Sequence, residues 1–554
     1  MCQKKKKKIG NCDDAKFVRG LTLNEPSLKT SKKAPLHGNF LHITDFHPDP
    51  HYLANSTVKS KCHGGHPKGR KRPRFAGTWG SSVTSCDTPM SLVNATFNWL
   101  EKNWNDKLDF IIWTGDNSSD DNIPRTAHEI YELNRMIATK FIETFSTKGI
   151  RAKNRPQFIP IVPSIGNHDI HPNNILLPGP NDVLSILHSI WQPFIPGNQR
   201  ETFLKGGYYY TEVIPKKLMV ISLNTIYFYN ANTAVNGCKS PEQPGTIEMN
   251  WLKEVLRKAR KRGLRVYLTG HVAPRKKQYT KSCYRVYQKL SIKYHDLILG
   301  HYYGHSNMDH FFFIGAKRSL GKFKRNDSSI ANDYYDDDDD YTDDDYTDNY
   351  ADYIEDYTEE YDSYDKKHFE ISINKSPSKI NKYLNKLYNH YRSVPPLTEG
   401  VGKEYAVVHI NPSIIPVFHP ALRIFKYNTT EVEHKKKNKR PKSQDPEAPS
   451  HKNTFLTPLG YTQYFINLTH SNLFPNQEPE YNIEYTTWDD YDMKDLTVPS
   501  WINLARKVTN RKFKNVMWRK IQGNLMVGTK SLVGKQDIEN QYIISEEPDD
   551  LLEF

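Results

Sequence analysis

No run of 18 or more apolar residues occurs in the chain, so no segment reads as a membrane-spanning helix. The start, MCQKKKKKIGNCDDAKFV, has no apolar stretch behind its lysines and does not read as a secretory signal peptide. Cysteine is scarce: the six, at positions 2, 12, 62, 86, 238 and 283, form no CxxC pair and no zinc-knuckle spacing. There is no internal repeat, which excludes a solenoid. Acidic residues are outnumbered, and the formal net charge is +14. Such a surface favours polyanions, among them nucleic acid, anionic lipid and polyphosphate, although a lysine-rich solvated surface has the same signature.

What is present is a chain of 554 residues, long enough for several domains or one large enzyme domain with insertions. A hydrophobic share of 37% and an aromatic share of 12% suffice for a sizeable core. Cys62/Cys86 and Cys238/Cys283 are spaced for local disulfides, which implies an oxidising compartment. Sequons at Asn55, Asn94, Asn326, Asn374, Asn428 and Asn467 agree with a glycoprotein. Disulfides without a visible secretion signal leave the targeting segment either missing from this chain or unusual.

Residues 1–37 read as a basic, disordered arm. From 38 to 325, strand-like apolar runs alternate with helical stretches, the pattern of a layered α/β catalytic domain. Residues 326–366 hold an Asp/Tyr-rich insertion, NDYYDDDDDYTDDDYTDNYADYIEDYTEEYDSYD, which cannot bury a core and reads as disordered. Such a polyanion, tethered near a basic cleft, would compete with a polyanionic substrate. Residues 367–430 supply the remaining strands, including a pair in EYAVVHINPSIIPVFHPALRIFKYN. Residues 431–453 read as a polar linker, and 454–554 as a mixed C-terminal subdomain and tail.

Five apolar runs end in side chains suited to metals: FLHITDFH in Asp45 and His47, LDFIIWTGDN in Asp116, FIPIVPSIGNHD in Asn167 and His168, LRVYLTGHV in His271, and LILGHYYGH in His305. Ligands of open α/β sheets gather at the carboxyl ends of strands, so such runs would bring these groups together. A carboxylate with two oxygens can bridge two ions, which makes Asp116 the bridging candidate. Asp45 and His47 would hold a first ion, and Asn167 and His271 a second.

These motifs resemble the calcineurin-like metallophosphoesterases, with their D-x-H, GD, GNH[DE], GH and GHxH pattern. HITDFHPDPHY, DFIIWTGDN, SIGNHDIHPNN and YGHSNMDHF carry the resemblance, which is strongest to the fungal vacuolar endopolyphosphatases, relatives of the acid sphingomyelinase-like phosphodiesterases. It implies a β-sandwich flanked by helices and two divalent ions, manganese, magnesium, cobalt or zinc. It makes His168 the substrate-facing acid, with Asp169 expected to orient it by a hydrogen bond. GHxH aligns on Gly304–Asn307, so His305 becomes a ligand of the second ion and Asn307 stands where the family's last histidine completes the first. An amide oxygen is a harder ligand than imidazole and tilts the site from zinc toward manganese, magnesium or cobalt. His301 reads as structural, and His310 as a residue that shapes the site. Asp120 stands where relatives often carry a substrate-side histidine.

The expectation is thus a hydrolase of internal phosphoanhydride bonds in inorganic polyphosphate, acting through metal-bound hydroxide. No nucleic-acid partner is expected. The resemblance implies an acidic vacuole, reached through a membrane anchor that this chain lacks. One alternative is a sphingomyelinase-like phosphodiesterase; residues 1–37 do not read as the lipid-presenting saposin domain of that type. The other is an inactive, polyanion-binding member of the fold, against which the retained motifs argue. Sequon Asn117 adjoins Asp116 and is expected to be buried and unglycosylated, and KGRKRPR at 68–74 reads as a solvated loop or an arm for a polyanion.

Overall fold

In the computed structural model the described residues are 37–64, 74–118, 125–146, 158–315, 377–397, 401–430, 452–510 and 514–529. The N-terminal arm, Asp120, the acidic run 332–365 and all of KGRKRPR but Arg74 lie outside them.

The first half of the chain lays down β1 (His37–Ile43), the short pair β2 (Pro48–Asp49) and β3 (Thr88–Pro89), helix α1 (Met90–Trp104), β4 (Phe110–Trp113), α2 (Ala127–Phe145) and β5 (Ile161–Pro163). After α3 (Asp182–Trp191) and α4 (Arg200–Gly206) come β6 (Tyr209–Ile214), β7 (Leu218–Ser222), α5 (Pro244–Arg262), β8 (Arg265–Thr269), α6 (Lys281–Lys293), β9 (Ile298–Tyr303) and β10 (His310–Gly315). The rest comprises α7 (Pro377–Ser393), β11 (Tyr405–Ile410), β12 (Ala421–Asn428), β13 (Pro458–Phe465), α8 (Leu468–Ser471), β14 (Asn482–Thr486), α9 (Thr487–Tyr491), α10 (Val498–Thr509) and α11 (Lys514–Leu525).

Among the described residues twelve strands form two six-stranded sheets, ordered β14-β13-β12-β1-β4-β5 and β10-β11-β9-β8-β7-β6, and β2 pairs with β3 alone. β1, β4 and β5 run parallel in one, and β7, β8, β9 and β11 in the other. Their cores, such as FIIW in β4, are buried along the whole strand, as parallel strands covered on both faces must be. The sheets pack face to face through aromatic rings. Phe40 lies stacked between Phe110 (4.9 Å) and Phe425 (4.7 Å) of its own sheet and meets Tyr267 and Tyr302 of the other, each at 5.5 Å. This is the expected sandwich with helices outside.

Two expectations change. The segment from 454 is not a separate subdomain, because β13 and β14 continue the β1 sheet by antiparallel pairing on β12. The strands of EYAVVHINPSIIPVFHPALRIFKYN do not pair with each other: β11 inserts between β9 and β10, while β12 crosses to lie beside β1. Apolar runs that look alike in sequence carry no signal of which sheet takes them.

Both expected disulfides are formed, Cys62–Cys86 and Cys238–Cys283. Asn117 is fully buried, with its amide bound to Trp113, Asn134 and Asp169. Among the described residues no helix is long and apolar enough to cross a membrane.

Candidate metal centre

The loops that leave the carboxyl ends of β1, β4, β5, β8 and β9 meet where the two sheets come together, three from one sheet and two from the other. Asp45, His47, Asp116, Asn167, His168, Asp169 and His271 are buried, and His305 and Asn307 partly so. Asp45, His47, Asp116, His305 and Asn307 all have positive φ, between 39° and 66°. Non-glycine residues held there cost on the order of 1–3 kcal/mol each, and such strain gathers at functional sites. Gly166 is required by close approach, since a Cβ there would run into the Asp116 carboxylate and backbone.

The ligand atoms fall into two groups that share Asp116: Asp45, His47 and Asp116, and Asp116, His271 and His305, each within 4.8 Å. His47 Nε2 stands 3.7 Å from Asp45 Oδ1 and 3.4 Å from Asp116 Oδ2. His271 Nε2 lies 3.0 Å from Asp116 Oδ2 and 2.9 Å from Asn167 Oδ1. His305 Nδ1 is 2.8 Å from Asn167 Oδ1 and 3.2 Å from His271 Nε2.

Neighbouring groups orient this set. Thr44 Oγ1 and the His305 amide donate to Asp45 Oδ2, leaving Oδ1 without a hydrogen-bond partner among the described residues. His271 Nδ1 donates to the Thr114 carbonyl at 2.6 Å, which turns Nε2 toward Asp116. His47 Nε2 and Asn307 Oδ1 are also buried without a hydrogen-bond partner. Buried polar atoms are rarely left so, and here all three point to a cation. The donor set of carboxylate, imidazole and amide oxygen fits divalent ions.

The charges agree. Burial works against a charged His47, but the Asp116 and Asp45 carboxylates outweigh it and raise its pKa well above the usual value. His271 is likewise opposed by burial and pushed up to about 9, chiefly by Asp116. Asp116 is held well below the carboxylate range: burial opposes its charge, and His271 and His168 overcome that. His305 is kept neutral by burial first, then by the neighbouring His271. The carboxylates thus draw positive charge into the site, where cations would displace the protons.

His168 donates its backbone N–H to Asp116 Oδ1 at 2.9 Å, and its ring lies 5.1 Å from that of His47. Asp169 does not orient it. The Asp169 carboxylate accepts from the amides of Gly166, Asp116 and Asn117 and from the Asn117 side chain, at 2.7–3.0 Å. It joins the Asp116 loop to the Asn167 loop. Against His168 Nδ1 stands Asn173, at 2.9 Å. Sequence reasoning missed Asn173, whose only signal is its place in the polar run GNHDIHPNN, and Tyr229, whose ring packs on His305 at 5.3 Å. His301 is buried away from the ligands, its Nδ1 bonded to Tyr287 at 2.7 Å. His310 Nδ1 donates to the carbonyl of Met308, between Asn307 and Asp309, so it braces the ligand loop.

A sandwich whose strand ends carry two ligand groups joined by one aspartate, with a histidine beside them, defines a metal-dependent phosphoesterase. The sequence profile of that class, described as Calcineurin-like phosphoesterase, matches residues 38–308. A Cryptococcus neoformans protein named Endopolyphosphatase is 37% identical over 74% of this chain, which spans 60% of that protein. Proteins of the same name from Debaryomyces hansenii and Saccharomyces cerevisiae are 34% and 30% identical, over 87% and 90% of this chain and 78% and 88% of theirs. The chain belongs to the endopolyphosphatase group of the calcineurin-like phosphoesterase family, and it is a metal-dependent hydrolase.

Proposed function

We propose that the chain hydrolyses internal phosphoanhydride bonds of inorganic polyphosphate, with two divalent ions, manganese, magnesium, cobalt or zinc, at the centre. The observation that carries this is the sharing of Asp116 by two ligand groups beside His168, in a chain whose relatives bear the name Endopolyphosphatase. Asp45, His47, Asp116 and Asn307 would hold the first ion, and Asp116, Asn167, His271 and His305 the second. Ions bound there supply charge neutralisation for the phosphoryl oxygens and acidify a water to serve as nucleophile.

The chain's own residues do the rest. Asp116 fixes the backbone of His168, and Asn173 engages its Nδ1, so Nε2 is the nitrogen that would protonate the departing phosphate oxygen. The net charge of +14 suits a polyanionic substrate. The two disulfides favour an oxidising compartment, and we place the protein in the vacuole lumen, with glycans at exposed sequons such as Asn55, Asn94 and Asn467.

The test is incubation of the purified protein with long-chain polyphosphate and each of Mn²⁺, Mg²⁺, Co²⁺ and Zn²⁺, with products resolved on a gel. A ladder of shorter chains is expected. Orthophosphate alone would mean attack at chain ends, and intact polyphosphate beside a cleaved phosphodiester would overturn the substrate assignment.

A further inference from the structure

Four residues beyond His271, the loop between β8 and α6 carries Arg275, whose surroundings are unusual for a cation. It is only 8% exposed, yet no carboxylate among the described residues pairs with it. Its guanidinium lies over the rings of Phe312 (5.0 Å) and Tyr383 (5.4 Å). One edge is occupied: Nη2 meets Tyr383 Oη at 2.6 Å and also contacts His310 Nε2. Nε is buried with no partner. A buried charge without a counter-ion is costly, and placing one beside a centre built for cations adds repulsion. An anionic ligand removes both costs.

Three contacts place this loop at the side of the second ion. Tyr279 bridges to Tyr229, whose ring packs on His305. Asn230 binds the carbonyls of Lys277 and Gln278 at 2.6 and 2.8 Å. His310, in contact with Arg275, holds the Met308 carbonyl of the loop that bears His305 and Asn307. Lys276 and Lys277 follow Arg275 on the exposed face.

We propose that Arg275 binds a phosphate of the polyphosphate chain next to the one being cleaved, with Lys276 and Lys277 guiding the chain outward. The inference rests on the substrate reading above. A guanidinium presents several N–H donors in a plane matched to phosphate, and here Nη2 is anchored by protein while Nε has no hydrogen-bond partner. A substrate with several linked phosphates uses this subsite; a simple phosphodiester has no second phosphate to offer.

The experiment compares the full chain with Arg275→Gln and Tyr383→Phe, on long-chain polyphosphate and on bis(p-nitrophenyl) phosphate. In Arg275→Gln the KM for polyphosphate should rise about tenfold more than the KM for the diester, and the excess should shrink at high salt. Tyr383→Phe disturbs the same contacts but keeps the charge, so its ratio of the two KM values should stay within about twofold of the wild type. Equal losses on both substrates, or a Tyr383→Phe that reproduces Arg275→Gln, would make Arg275 a strut for the ligand loop and overturn the subsite. An unchanged polyphosphate KM in Arg275→Gln would do the same. Wild-type protein inert on polyphosphate but active on the diester would remove the substrate reading, and this inference with it.

Discussion

Asp116 gives its two carboxylate oxygens different work. Oδ1 accepts the His168 amide, while Oδ2 faces His47 and His271. Asp116→Asn should therefore lose one or both ions and nearly all turnover while the fold persists. His168→Ala should keep its metal content and lose about 10²–10⁴-fold in kcat if, as proposed, it protonates the departing oxygen. Asp169 separates from both. Its carboxylate ties together the loops carrying Asp116 and Asn167, so Asp169→Ala should weaken metal affinity about 10–100-fold and lower the melting temperature. Metal titration followed by calorimetry, beside steady-state kinetics, sorts the three. An Asp169→Ala variant with normal metal affinity and a pure kcat defect would restore its assignment as the partner of His168.

The ligand elements were legible because each is a buried apolar strand ending in a glycine-bearing or polar turn, and those turns, Asn307 apart, keep the form of the motifs they resemble. Their number and order could be read; their division between two sheets could not, since FIIW and VYL look alike whichever sheet receives them. Asn173 and Tyr229 escaped because their contacts depend on the paths of loops, which no periodicity reports. The Cys62–Cys86 loop shows what a legible feature gains from structure. Its base is the β2–β3 pair, and the amide of Thr88 donates to the carbonyl of His47, so the disulfide closes the loop that seats a candidate metal ligand. With a sequence separation of 24, its loss should cost about 3 kcal/mol of unfolding free energy. The double variant Cys62→Ser/Cys86→Ser, unfolded in denaturant, should show that loss together with weaker binding of the first ion. Unchanged metal affinity would mean that the loop base holds His47 without the disulfide.

At the scale of the molecule, buried histidines weaken the fold in acid, against the opposite effect of Glu484, which burial pushes up to about 8. Burial holds His301, His390 and His409 down to about 3, and His419 to about 4. Three of them use a lone pair that protonation would remove: His390 accepts the Phe313 amide, His419 the Leu468 amide, and His301 faces the Tyr287 hydroxyl. In the unfolded chain each takes a proton near pH 6.5, in the native fold only near 3–4. Between those limits the unfolded state binds more protons, so the stability is fully present above about 6.5 and is lost as pH falls. At pH 5 each histidine costs about 2 kcal/mol relative to neutrality. His271 has the opposite sign in the metal-free protein: its pKa of about 9 adds stability below 6.5 that fades as pH rises through 9. In acid the fold therefore draws on reserve stability, which two disulfides and the aromatic contacts between the sheets supply. Melting temperatures of metal-loaded protein should fall steadily from pH 7 to pH 5. In His301→Asn, whose side-chain oxygen can still accept from Tyr287, the pH 7 value should drop slightly and the slope should become shallower. A slope equal to that of the wild type would show that His301 is not among the groups that carry the acid sensitivity.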